Sequence, residues 1–194
     1  MTSWKPGKPV RLETERFVLE SKSRLQASLL SYPWTTDPEI MHPLGYTAGT
    51  WTRRSWYRNL RHYNNRRKFF LAIRPKAETE AIGYEAFEVS SVGVALLTVA
   101  IGDHAWWGKG VVAETRPAVL DFIFDGCNCH RAWGLPGARN LPSIFNYQQL
   151  GFKKEGVLRK QTMNHATGKP QDHVAFGMLR DEWHALRSSG NAPK

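Results

Sequence analysis

Two periods of apolar residues follow one another near the middle of this chain. The run LLTVAI, residues 96–101, has the β-branched content and length of a buried strand, and it stops at Gly102-Asp103. Beyond Gly108-Lys109-Gly110, Val111, Val112, Val119, Leu120, Ile123 and Phe124 fall near a helical period. Strand, glycine turn and helix therefore form one unit. Pro117 sits inside that helical pattern, where it is tolerated most easily in a first turn and otherwise kinks the helix.

The same reading extends to both sides. Leu12, Phe17, Val18 and Leu19 predict a first strand over 10–20, broken by a turn at Glu13-Thr14-Glu15. A helix is expected over 21–31 with Leu25, Leu29 and Leu30 as its apolar face. YPWTTDPEIMHPLG, from Tyr32, is too irregular for a regular element and reads as a long loop, a kind of segment that often carries function. Thr52 is placed to cap a helix over 52–64 whose Trp56, Leu60 and Tyr63 share a face. Residues 69–73, 81–89 and 92–101 then predict an antiparallel meander. A short strand at 131–135, a helix at 140–150 and a hairpin of 153–162 with 172–179 complete the order. Residues 1–9 read as a loose arm and the tail from Ser188 as disordered.

Length and composition narrow the class. A chain of 194 residues suits one domain, expected over 10–187, and can bury about 70% of its unfolded surface without staples. No apolar run approaches the ~18 residues that cross a bilayer, and MTSWKPGKP has no apolar signal core, so a cytoplasmic protein without membrane contact is expected. Cys127 and Cys129 are followed by His130, but structural zinc needs four ligands and C-x₂₋₄-C spacing. Free thiols in a buried turn, with no metal, are the expectation.

The formal charge of +10 is concentrated in Arg53, Arg54, Arg58, Arg61, Arg66, Arg67 and Lys68, a run without an acid. Such a run attracts phosphate-rich or acidic partners, among them coenzyme A, acidic protein surfaces and RNA, or else serves as a solvated helix face.

The glycine turn supplies the candidate chemistry. The first N–H groups of a helix have no partner within it, the helix dipole adds positive character, and glycine lets a ligand approach the backbone. Phosphate or pyrophosphate is the expected guest. A nucleotide-triphosphatase loop is excluded, because Lys109 is followed by Gly110 rather than Ser or Thr and no glycine stands at the required distance upstream. Gly108, Gly110 and Ala113 match G-x-G-x-x-A, yet the opening βαβ setting of a dinucleotide site is missing.

A second motif supports a third reading. In NLPSIFNYQQLGF, Asn140, Ser143, Tyr147, Gly151 and Phe152 fit N-x-x-A/S-x-x-x-Y-x-x-x-G-F at every spacing. Together with a turn near Q/R-x-x-G-x-G/A, this resembles the GNAT superfamily of acetyl-coenzyme A dependent N-acyltransferases. WGKG, the closing D-x-x-x-F-G-M-L-x-x-E-W from Asp172 to Trp183, and an L-x-T-x-R-L-x-L-like start at Leu12, Thr14, Arg16, Phe17 and Leu19 are most similar to its ribosomal-protein-alanine acetyltransferase branch.

The resemblance implies an α/β fold, a mixed, mostly antiparallel sheet flanked by helices whose strands splay around the cofactor. It implies acetyl-CoA as co-substrate, with pyrophosphate on Trp107, Gly108, Lys109, Gly110, Val111, Val112 and Ala113. Pantetheine would lie along Val99, Ala100 and Ile101, with Asn140 and Ser143 beside it and Tyr147 as general acid. Asn140 also reads as a helix cap, a role that can coexist with cofactor binding, whereas for Tyr147 the alternative is core packing with a satisfied hydroxyl. Trp107 stands where the family usually has Gln or Arg, and Val112 replaces the last small residue of the loop. The usual positions of a general base hold Ala95 and Leu135, which leaves Glu85, Glu88, His104 and His173 as candidates by proximity only.

The resemblance further implies a primary amine as acceptor, either a protein N-terminus or a small polyamine, amino acid or aminoglycoside, and an enzyme that is a monomer or dimer. Tyr32, Trp34, Trp51 and Trp56 are expected to wall the acceptor cleft or to fill the core. From another class, the rival is a catalytically impaired RNA- or ribosome-associated binding protein on the same scaffold.

Overall fold

Alternation along the central strands divides the interior in two, and that division places the site. The computed structural model describes residues 4–165 and 167–190. Its strands are β1 (Arg11–Glu13), β2 (Phe17–Ser21), β3 (Lys68–Pro75), β4 (Gly83–Val89), β5 (Val94–Ile101), β6 (Arg131–Gly134), β7 (Lys153–Asn164) and β8 (Lys169–Leu179). Its helices are α1 (Arg24–Ser31), α2 (Pro38–Met41), α3 (Arg53–Asn59), α4 (Val111–Asp121), α5 (Leu141–Gln149) and α6 (Arg180–Ser188). The strands form one sheet in the order β1-β2-β3-β4-β5-β6-β8-β7.

Every pairing is antiparallel except β5 with β6. Parallel neighbours need a crossover, here made by α4. Their register runs only from Val94↔Arg131 to Leu96↔Trp133. Beyond Leu96 the two strands part, and that edge of β5 has no strand beside it.

Phe69, Leu71, Ile73, Phe87 and Leu97 point to one face, where Val119, Leu120 and Ile123 of the α4 segment, Leu150 after α5 and Trp183 of α6 cover them. Phe70, Ala72, Tyr84, Ala86 and Ala100 point to the other, beneath Ala27 of α1, Ile40 and Met41 of α2 and Trp56 of α3. Period two in the strands thus builds two apolar layers.

Several expectations change. Leu25 and Leu29 are 58% exposed, and α1 instead buries Ala27, Ser28 and Ser31, because Trp56 packs there and donates its indole N–H to Ser31 Oγ at 2.9 Å. The segment expected as loop winds into a 3₁₀ turn (Tyr32–Thr36) and α2, whose first turn Asp37 caps by accepting from Glu39 N at 2.8 Å. Thr52 caps α3 as expected, reciprocally with Ser55, but the helix tightens to 3₁₀ at Leu60–His62. Pro117 lies in the interior of α4, which continues as a wider π turn over Phe122–Gly126.

The last hairpin is longer at both strands than its apolar residues suggest. Helix α6 was not expected. It is held by fully buried Trp183, whose indole donates to Asp121 Oδ1 at 2.8 Å, and it takes in Ser188. The expected loose arm packs from Trp4 onward, its ring against Phe69 and Phe122, with Gly7 N donating to Asn65 O at 2.6 Å. Residues 1–3 and 191–194 of the two expected tails lie outside the described residues. Among the described residues no helix is long and apolar enough to cross a membrane.

Candidate active site

The turn between β5 and α4 is anchored on three sides. Gly108 and Gly110 take φ of 72° and 71°, a region that other residues enter at a cost, and Gly110 occupies the cap position of α4. Trp107 donates its indole N–H to Ile101 O at 2.9 Å, tying the turn to the end of β5. Its ring stacks on His104 at 3.9 Å, and His104 Nε2 meets Asp37 Oδ2 at 2.6 Å, so the cap of α2 joins the same cluster. From the β1–β2 turn, Arg16 reaches Glu114 Oε2 (2.6 Å) and donates to Lys109 O (3.0 Å), while the Thr14 hydroxyl donates to Glu114 Oε1 (2.6 Å). Glu114 lies in the first turn of α4. The T-x-R pair near the start of the chain therefore braces the glycine turn.

A cavity of about 620 Å³ opens beside this turn, between the end of β5 that β6 does not pair and α5. Its wall contains Val99, Ala100 and Ile101 from β5, Trp107, Gly108, Gly110, Val111, Val112 and Ala113 from the turn and helix start, and Asn140, Ser143 and Tyr147 around α5. Lys109 is not part of the wall and extends its ammonium over the Trp106 ring, 5.4 Å from the centroid. The first N–H groups of α4 point off the helix with no intrahelical acceptor, and glycine leaves no side chain in front of them. The local chemistry fits an anionic ligand.

Asn140 caps α5, its Oδ1 accepting from Ser143 N at 3.2 Å. Two turns along, Tyr147 is 8% exposed, stacked on Phe176 at 5.3 Å with a 6° interplanar angle and edge-on to Phe152 at 5.0 Å. Its hydroxyl lies against Gly134 of β6. Beside it Arg116 of α4, 2% exposed, donates through Nε to Glu85 Oε1 at 3.0 Å and sets Nη2 2.8 Å from Oε2. Burial pushes the Tyr147 phenol above its ordinary value, against the pull of the Arg116 charge. Burial likewise raises the Glu85 carboxyl, with Arg116 opposing.

The residues named from sequence as base candidates separate here. Glu85 is fully buried in its pair with Arg116. Glu88 pairs with Lys68 at 2.8 Å. His173 donates Nδ1–H to Leu135 O at 2.7 Å, leaving Nε2 to the Thr162 hydroxyl at 2.8 Å. Glu88, His104 and His173 do not line the cavity, whereas Glu39 and Arg116 do. Arg116 was missed from sequence. The available signal was Glu85, a carboxylate on the same β4 face as Phe87, which demands a buried cation opposite.

The four aromatics expected at the acceptor end do not line the cavity either. Trp56 is 3% exposed, Trp51 packs edge-on to it at 5.1 Å, and Trp34 stacks on Tyr84 at 6.2 Å. Tyr32 donates its hydroxyl to Trp51 O at 3.4 Å. They fill the layer beneath α1–α3. The corresponding end of the cavity is formed by Glu39, Ile40, Pro43 and Leu44.

The basic run lies on α3 and the turns after it, with Arg54, Arg58, Arg61, Arg66 and Arg67 exposed and without an acidic partner among the described residues. Lys68 pairs with Glu88, and Arg53 lies over the Tyr32 ring at 5.5 Å. Cys127 and Cys129 carry free thiols, which burial pushes up to about 12 and about 11.

Comparison with known proteins agrees with this geometry. Residues 16–153 match the family model described as an acetyltransferase (GNAT) domain. An uncharacterized N-acetyltransferase p20 of Bacillus licheniformis is 27% identical over 179 residues, 89% of this chain and 97% of that protein. Mycobacterium smegmatis RimJ, solved with CoA-disulfide, superposes with a TM-score of 0.78 at 19% identity, covering 97% of this chain and 99% of that one. Vibrio cholerae spermidine N-acetyltransferase, solved with CoA and spermine, gives 0.77 at 17% identity, covering 87% of this chain and 98% of that one. The sheet that splits between β5 and β6, the braced glycine turn and the family match lead to one conclusion: the chain belongs to the GNAT acetyltransferase family and is an acetyl-CoA-dependent N-acetyltransferase.

Proposed function

We propose that the chain transfers an acetyl group from acetyl-CoA to the amine of a protein N-terminus by direct attack on the thioester. The observation that carries this reading is one continuous cavity wall that runs from the start of α4 past the unpaired end of β5 to Tyr147. Acetyl-CoA supplies the activated acyl carbon. The N–H groups of Val111, Val112 and Ala113 and the dipole of α4 take the pyrophosphate charge. The free edge of β5 beyond Leu96 offers backbone groups to an extended ligand chain, as a neighbouring strand would. N–H groups near Val99–Ile101 stabilise the oxyanion, and Tyr147 protonates the sulfur as the C–S bond breaks.

A second hollow of about 460 Å³ favours a peptide acceptor. It is lined by Glu88, Ser90, Val94, Leu96, Arg131 and Trp133, on the sheet face that carries α1–α3, where β5 and β6 are still paired. In this reading the residues that follow the acceptor amine lie along that face, a length of contact that a small amine does not need. A second reading rests on Glu39 in the cavity wall, a carboxylate suited to the second cationic centre of a polyamine. The test is thiol release with a panel of peptide N-termini beside polyamines, amino acids and aminoglycosides. Faster turnover on peptides supports the first reading and faster turnover on polyamines the second. Coenzyme A binding without thiol release on any amine would leave a binding protein.

A further inference from the structure

A buried ion pair that does no more than hold a fold is costly, since both charges lose their water. Here one member of the pair, Arg116, sits in the wall of the cavity. Glu85 is fully buried, Arg116 is 2% exposed, and Arg116 is the cationic side chain that lines the cavity alongside Tyr147. The Arg116 charge pulls the Tyr147 phenol down against the rise that burial causes. The two carboxylate oxygens of Glu85 hold the guanidinium at Nε and Nη2, and Thr115 adds its hydroxyl to Oε1 at 3.4 Å, so its direction is set by β4 rather than by its own flexible stem. The rest of the phenol's surroundings are uncharged: Gly134 from β6, Phe152, and Phe176 from β8.

We propose that Arg116, fixed by Glu85, is a positioning residue for Tyr147: the charge of its guanidinium, in the same cavity wall as the phenol, stabilises the phenolate left behind when the proton moves to sulfur. This rests on the acetyl-transfer reading given above. In that reaction the amine lone pair forms the C–N bond and the C–S pair goes to sulfur. Tyr147 gives sulfur its proton and keeps the O–H pair as phenolate. Water takes the surplus proton of the amine and later restores the phenol. A cation beside the oxygen favours the ionised phenol, and Glu85 limits how far.

Two variants separate this role from a structural one, because they must act with opposite sign. Glu85→Gln keeps an acceptor for Arg116 and removes only the negative charge. The Glu85→Gln/Arg116→Met double variant removes both charges. Tyr147 is titrated by tyrosinate absorbance in each protein against its Tyr147→Phe counterpart, without acetyl-CoA. The expected result is ionisation about one pH unit lower in Glu85→Gln and about one pH unit higher in the double variant. The double variant is also expected to lose at least about tenfold in kcat with KM for acetyl-CoA changed less than about twofold. Unmoved titrations, or shifts of the same sign, would overturn the proposal. If the double variant does not melt cooperatively, the sign in Glu85→Gln alone decides. The titration needs no turnover, so it separates failure of this proposal from failure of the acetyl-transfer reading, which thiol release decides.

Discussion

Gly134 of β6 and Tyr147 of α5 pack backbone against hydroxyl, so closely that a methyl group built on Gly134 overlaps the phenol oxygen and the adjoining ring carbon. Gly134 pairs with Phe176 across β6 and β8, and the Tyr147 ring stacks on Phe176, so β6 sets how deep the phenol sits. Gly134→Ala is expected to cost about 1–3 kcal/mol through overpacking and to displace the phenol from the cavity. Thermal melting together with kcat checks this. An unchanged melting temperature with full turnover would show that α5 shifts freely.

Tyr147→Phe keeps the ring on Phe176 and removes only the transferable proton. Melting and acetyl-CoA affinity are expected to persist while kcat at saturating substrates falls about 10²- to 10⁴-fold. A fall under about threefold would mean that the thiolate leaves unaided. A large fall with a collapsed melting temperature would assign Tyr147 to packing.

Gly110→Asp places a side chain and a negative charge at the cap of α4, at a backbone φ of 71°. The dipole that attracts pyrophosphate is offset and the approach to the first N–H groups is blocked. Calorimetry should show coenzyme A binding to the parent chain and loss of most of it in the variant. Equal affinity in a folded variant would move the phosphate site elsewhere.

The brace on the glycine turn is acid-sensitive. Burial alone would raise the Glu114 carboxyl, but hydrogen bonds from Thr14 and Arg16 outweigh it and hold the pKa below the usual 4.5. A carboxyl depressed on folding stabilises the native state above its unfolded pKa, and that contribution is lost as pH falls through the folded value. The parent is therefore expected to melt above Glu114→Gln at neutral pH, with the gap closing below about pH 4.5. Melting curves of both proteins across pH 3 to 7 check the sign, and a gap constant over that range would mean that ionisation of Glu114 contributes nothing.

The exposed arginines after Thr52 are expected to bind an acidic or RNA-bearing partner through charge. Changing Arg58, Arg61, Arg66 and Arg67 to Gln should weaken association with RNA at low salt and flatten its salt dependence. Unchanged ribosome association and turnover on every acceptor would make the run a solvated face.

Local chemistry made much of this protein legible from its residues. The glycine turn before α4, the cap at Asn140, the meander of β3 to β5 and the spacing of Asn140, Ser143 and Tyr147 are set by neighbours in the chain, where backbone sterics and side-chain period act directly. The family followed from those motifs. What period and propensity do not encode is which layer covers a given face. Leu25 and Leu29 of α1 stay exposed because Trp56 claims the opposite side, while Leu30 packs at the edge of the core, and Trp34, Trp51 and Trp56 pack in the layer beneath α1–α3, where large aromatics bury most area. Helix α6 forms because Trp183 finds the α4 side of the sheet, a tertiary gain that its polar composition conceals. Arg116 and Glu85 lie on separate elements, and only the packing of α4 on β4 makes them a pair beside Tyr147. Their meeting depends on the fold as a whole, since a charge is tolerated inside a protein only where another part of the chain brings its partner.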